Sequence, residues 1–140
     1  MPVIGLTFRS IEAKREKTAV TGEIKVNSTP KINSVKEANV PTLKKKALSL
    51  DFDFVTKYSP DMGEVKISGD IMYLTDKNAQ ILKQWKKEKK LPEDVSIEIL
   101  NHLFRRCLIK ITYIAEDLQL PPPIAMPRVK PKTEEASYIG

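Results

Sequence analysis

One cysteine and one histidine are all that this sequence of 140 residues has of either kind. A disulfide framework needs pairs and a zinc site needs several soft ligands, so neither can be assembled within one chain. Glycine is scarce too, with five dispersed residues. They form no phosphate-cradling loop, and no GKS or GKT, HExxH or spaced acidic calcium loop occurs, so no cofactor and no metal is expected. No run approaches the roughly 20 apolar residues of a membrane span, which argues against membrane insertion. The opening MPVIGLTFRS has neither the basic start nor the apolar core of an export signal. A cytoplasmic location is the expectation, and the lone thiol fits a reducing compartment.

Charge is plentiful. Lys and Arg total 24 against 18 Asp and Glu, a formal +6 with a pI near 9.4. That excess raises the question of nucleic acid or anionic membranes. The cations are scattered over Lys14 to Lys17, Lys44 to Lys46, Lys83 to Lys90 and Arg128 to Lys132, with acids interleaved elsewhere, so a solvated lysine-rich surface is the simpler reading.

Chemistry-bearing groups do not converge. His102 lies between an apolar arc and a polar strip of a helix, and Cys107 lies in the arc, where a thiol behaves as a small hydrophobe. Their spacing points them in different directions. Asp51 and Asp53 would stand on an open sheet face without a pocket. Enzymatic activity is not expected.

Taken in order, Ile4, Leu6 and Phe8 alternate as in a strand with one buried face, and the phase slips afterwards to Ile11 and Ala13, which implies a bulge or bend near Ser10. Val20, Gly22, Ile24 and Val26 resume the alternation. Pro30 then marks an irregular or edge strand, and Val35 to Leu43 reads as a loop. The clearest β pattern follows: Leu48, Leu50, Phe52 and Phe54, a turn over Tyr58 to Gly63, then Val65, Ile67, Gly69, Ile71 and Tyr73. If Lys57 faces Glu64 in this hairpin, Phe52 lies opposite Gly69 and Asp51 opposite Asp70. The outer face then carries Asp51, Asp53, Glu64 and Asp70, interrupted by Lys66. It is either an ordinary charged sheet surface or an acidic docking patch for a basic partner.

Asp76 is the expected N-cap of a first helix marked by Ala79, Leu82 and Trp85, with cations in its last turn. A second helix spans Val95 to Leu120. Ile97, Leu100, Phe104, Cys107, Leu108, Ile111, Ile114 and Leu118 define its apolar side, widened by Leu103, Ile109, Tyr113 and Ala115. A helix so apolar wants cover on two sides. After it, PPPIAMPRVKPK is extended and polyproline-like, and residues 133–140 read as a flexible tail. Strands first and helices last make an α+β domain over residues 1–132, the helices segregated to one side of an antiparallel sheet.

The order of these pieces resembles the SecB-like family, which comprises the bacterial export chaperone SecB and its relatives in archaea and in toxin-antitoxin systems. The resemblance runs from about Leu6 to Val129. It rests on the early strand with Ser10-Ile11-Glu12-Ala13, the strand opening Glu23-Ile24-Lys25-Val26, the long hairpin, and a second helix running into Leu120-Pro121-Pro122-Pro123-Ile124. Residue usage looks archaeal. What the resemblance implies is a four-stranded antiparallel sheet with two C-terminal helices packed on one face, self-association as a dimer or tetramer, and a groove beside the second helix for unfolded polypeptide clients. On that basis the expected peptide contacts are Trp85, Phe104, Leu108, Ile111, Tyr113, Ile124 and Met126, each of which would equally serve as core or oligomer contact. It also implies a non-enzymatic holdase, with the acidic sheet positions as a place for partner docking. The alternative, from charge alone, is a basic RNA- or ribosome-associated accessory protein, and a toxin-neutralising or regulatory role on the same fold is not separable by sequence.

Overall fold

The strict alternation of residues 48–54 and 65–73 becomes the middle of a sheet. A computed structural model describes residues 3–16, 23–125 and 127 of the chain. Four strands, β1 (Val3–Arg15), β2 (Lys25–Val40), β3 (Lys45–Ser59) and β4 (Gly63–Tyr73), precede α1 (Asn78–Glu88) and α2 (Glu93–Asp117). All pairings are antiparallel, in the order β1-β4-β3-β2. On β4 every odd residue from Gly63 to Tyr73 is buried and every even one is partly exposed, the signature of one face packed and one face wet. Ile81 of α1 and the inner residues of α2 join the buried face of the sheet in one core.

The hairpin register is the expected one: Lys57 faces Glu64, Phe52 faces Gly69 and Asp51 faces Asp70. Gly69 also faces Phe8 of β1, so it stands between two rings. A Cβ here would run into the Thr7 carbonyl and meet the Phe52 ring at 3.1 Å. The expected irregularity in β1 is present, as a register shift between Phe8 and Ser10. It leaves Arg9 without a direct partner and lets both halves of the strand pair with β4.

Three expectations change. The segment read as broken at Pro30 and looped from Val35 is one strand through Val40, paired along its length with β3, with a single shift between Ile32 and Ser34. On an edge strand alternate backbone nitrogens face away from the neighbour, so a proline there need forfeit no ladder bond. Only a short 3-10 turn, Pro41–Leu43, joins β2 to β3. Asp76 does not cap α1. Lys77 holds the N-cap position without a side-chain cap bond, while its N–H donates to the Thr75 hydroxyl at 3.2 Å.

The third change concerns α2. Its buried residues are Val95, Ile99, Leu103, Cys107, Ile111 and Ala115. That is a run of four-residue steps, each advancing about 40° around a helix with 3.6 residues per turn, so the buried line winds around α2 and the helix crosses the twisted sheet obliquely. Ile97, expected inside, is 53% exposed, and Leu100, Phe104, Leu108, Ile114 and Leu118 are half-buried flanks. At the C-terminal end, Arg15 of β1 donates to the Leu118 carbonyl at 2.9 Å, satisfying an acceptor the helix itself leaves open.

Candidate functional site

The two flanks of α2 face different edges of the sheet. Arg106 lies over the Phe8 ring, with its guanidinium carbon 5.8 Å from the centroid, which turns that flank toward β1. Phe104, about 200° around the helix from Arg106, sets its ring edge-on to Phe54 at 5.4 Å and 87°. Leu100, Phe104 and Leu108 therefore form a half-buried apolar ridge on the β2 side. At the N-terminal end of this ridge the chain leaves a furrow between β2 and the two helices. One hollow of about 590 Å³ is bordered by Ile32, Trp85, Leu91, Ser96 and Ile97. A second of about 510 Å³ is bordered by Val35, Leu82, Trp85, Lys86 and Lys89. Trp85 and Lys89 border both, so the two hollows adjoin across the half-buried indole. Lys89 Nζ lies 5.9 Å from the ring centroid, a cation over an aromatic face at the rim.

The sequence-named residues do not gather into one cluster. Trp85 lies in the furrow, whereas Phe104 and Leu108 belong to the half-buried ridge of α2 and line neither hollow. Ile111 is fully buried beneath α2, so its expected role as a client contact is corrected to a core role: the winding stripe carries it under the helix. Tyr113 is 70% exposed, about 160° around the helix from Ile111 and so turned away from the core. Ile124 is exposed just past the far end of α2, remote from Trp85, and Met126 lies outside the described residues. Ile32, Val35, Leu82, Leu91 and Ile97 were missed. The proline-marked edge strand is the signal for the first two, and Ile97 lies on the open side of α2 and not on the buried side its spacing implies.

Neither chemistry-bearing residue of α2 enters the furrow's lining. Cys107 is fully buried, and burial pushes its thiol up to about 12, with Arg106 opposing. A thiol so placed stays protonated at neutral pH and packs as an apolar group. Burial and then the Arg106 and Arg105 charges hold His102 below its ordinary range. Among the described residues, no helix is long and apolar enough to cross a membrane.

The outer face of the sheet carries the four acids named for docking, each beside a cation or a hydrogen-bond donor in the register. Arg9, projecting from the β1 bulge, bridges Asp51 and Asp70, its Nε 3.1 Å from the Asp70 carboxylate. The Ser68 hydroxyl donates to Asp53 at 2.6 Å and holds its carboxyl below the ordinary range against the opposing effect of burial, helped by Asn33, Lys66 and Lys31. Glu64 faces Lys57 on one side and Lys14 on the other. Asp51 and Asp70 are directly opposite and would repel without Arg9. Arg9→Ala is expected to lower stability by about 1 kcal/mol, since the bridge is half-exposed. In urea unfolding, adding Asp70→Asn should recover part of that loss, the signature of coupling between the two positions.

A search of solved structures finds this architecture in the Mycobacterium tuberculosis Rv1957 SecB-like chaperone, solved in complex with a ChAD peptide from the Rv1956 HigA1 antitoxin. The two align with a TM-score of 0.51 over 92% of this chain and 91% of that one, at 10% sequence identity. The fold is SecB-like. No protein-family model and no curated protein sequence matches the chain. At this identity the likeness lies in strand order and helix placement rather than in shared side chains. The SecB-like fold thus accounts for the four antiparallel strands followed by two helices, as the sequence had led us to expect.

Proposed function

We propose that this chain is a non-enzymatic polypeptide-binding protein, a SecB-like holdase that takes extended apolar segments of unfolded or nascent chains in the cytoplasm. The observation that carries the reading is the furrow: Trp85 and Ile97 remain partly wet in a depression beside α2, on which Leu100, Phe104 and Leu108 are also only half-buried. An extended peptide laid along it would cover apolar surface that β2 and the helices leave open, while the lysines at the rim would tolerate varied flanking sequence. That the SecB-like neighbour was solved with a bound peptide supports the same reading.

Self-association belongs to this proposal, and the two sheet edges differ in a way that supports it. β2 carries Pro30, a bulge, and Lys25, Lys31 and Lys36, devices that discourage pairing with another strand. The first half of β1, Val3 to Phe8, has no charge, and Ile4 and Ile11 on this strand are 39% and 41% exposed. A second copy paired through β1 would cover them.

The test is suppression of light scattering by an aggregating client. Wild type should suppress it at near-stoichiometric amounts. Trp85→Glu with Ile97→Glu should lose most of the suppression while keeping its melting temperature within about 3 °C, as both side chains are partly exposed. Absence of suppression by wild type at any stoichiometry ends the proposal.

A further inference from the structure

The side of the sheet facing away from the helices carries a hollow that the client furrow does not use. It measures about 400 Å³ and is floored by Val55. Lys66 of β4 and Thr29 of β2 flank Val55 in the register, Lys57 faces Asn27 across the β3–β2 pair, and Lys31 faces Asp53. Among the described residues no carboxylate lies within ion-pairing distance of Lys31, Lys57 or Lys66; the ion pairs present are Arg9 with Asp51 and Asp70, and Lys14 with Glu16. Asp53, the nearest acid in the register, is engaged by Ser68. Three lysines and one carboxylate, Asp53, thus line an apolar floor, a net excess of positive charge with a hydroxyl and an amide at hand.

We propose that this hollow docks a short acidic segment of a partner protein, its carboxylates on Lys31, Lys57 and Lys66 and an apolar side chain on Val55. Charge complementarity selects an anion, and the surroundings limit its length. Asp53 in the lining is engaged by Ser68, and beyond the hollow stand Glu64 on one side and Asp51 and Asp70 further along β3 and β4, so a long polyanion crossing the sheet would meet more carboxylates. Nucleic acid is disfavoured for a second reason. Phe8, Phe52, Phe54, Tyr58 and Tyr73 all occupy register rows of the buried face, so the strands offer no ring for base stacking on this one. The site is separate from the client furrow, and its fate is independent of the holdase reading.

The experiment measures binding of a fluorescein-labelled peptide with alternating Glu and Val to the full chain, against the same peptide with Gln for Glu and a single-stranded RNA. Lys57→Glu with Lys66→Glu should weaken the acidic peptide by about tenfold or more, and added salt should weaken it in wild type. Lys83→Glu with Lys110→Glu, an equal change of net charge on exposed helix positions, should alter it less than about twofold. Lys31→Glu, exposed on the edge strand, serves as the variant if the first pair fails to fold. No binding of the acidic peptide, equal loss in both double variants, equal binding of the Gln peptide, or tighter binding of RNA through the same lysines would each overturn the proposal.

Discussion

Gly69→Ala is expected to lower the unfolding free energy by about 3 kcal/mol, at the upper end of what overpacking costs. The reason is local. Gly69 on β4 lies between β1 and β3, with Phe8 on one side and Phe52 on the other, and an added methyl would collide with the Thr7 carbonyl. A flexible side chain can swing away from a methyl, but a backbone carbonyl moves only if β1 shifts against β4. Such a shift would disturb the Arg9 bulge and the Asp51 and Asp70 bridge beside it. Gly5→Ala is the control: a Cβ there meets Met72 side-chain atoms at 4.0 Å, ordinary contact. Its effect should stay within about 0.5 kcal/mol. Urea unfolding of the two variants reads the difference, and equal stability of both would mean that β1 does not sit against Gly69 as described.

The register of this region was legible in the sequence because β3 and β4 alternate strictly and the turn between them fixes the count. Once Lys57 is set against Glu64, the two-residue period places Phe52 on Gly69 and Asp51 on Asp70. β2 was less legible. It pairs on one side only, its residues alternate between exposed and half-buried, and its proline is as compatible with an edge strand as with a loop. The candidate site suffered from a different cause. A straight apolar face on α2 would have given Ile97 and Ile111, about 40° apart around the helix, the same surroundings, whereas the four-residue ridge winds, sealing Ile111 and exposing Ile97. Arg9 was invisible as a bridge because the bulge that aims it, though expected nearby, says nothing of where a side chain points. The same geometry bears on test design. Phe104→Asp would remove the edge contact with Phe54 as well as the ridge, so loss of holdase activity in that variant would not separate folding from binding. Trp85 and Ile97 avoid the ambiguity.

Leu103→Ala should cost about 3 kcal/mol and Ile109→Ala less than about 0.5, although the two residues lie within two turns of one helix. Leu103 is fully buried in the ridge that α2 presses onto the sheet, and truncation there loses apolar burial and leaves a cavity bounded by strands that cannot collapse to fill it. Ile109 is 54% exposed on the outward side. Thermal unfolding at low protein concentration measures the protomer's own share of these energies. If self-association covers the outward side, the Ile109→Ala deficit should grow as concentration rises, because mass action adds the energy of the assembled contacts to the folded state. The Leu103→Ala deficit should remain constant, since its contacts are complete within one chain. A helix whose inner residues answer to one variable and whose outer residues answer to another is stabilised from two sources. The apolar residues on its outward side are then explained by a contact beyond the protomer and not by the stability of the fold.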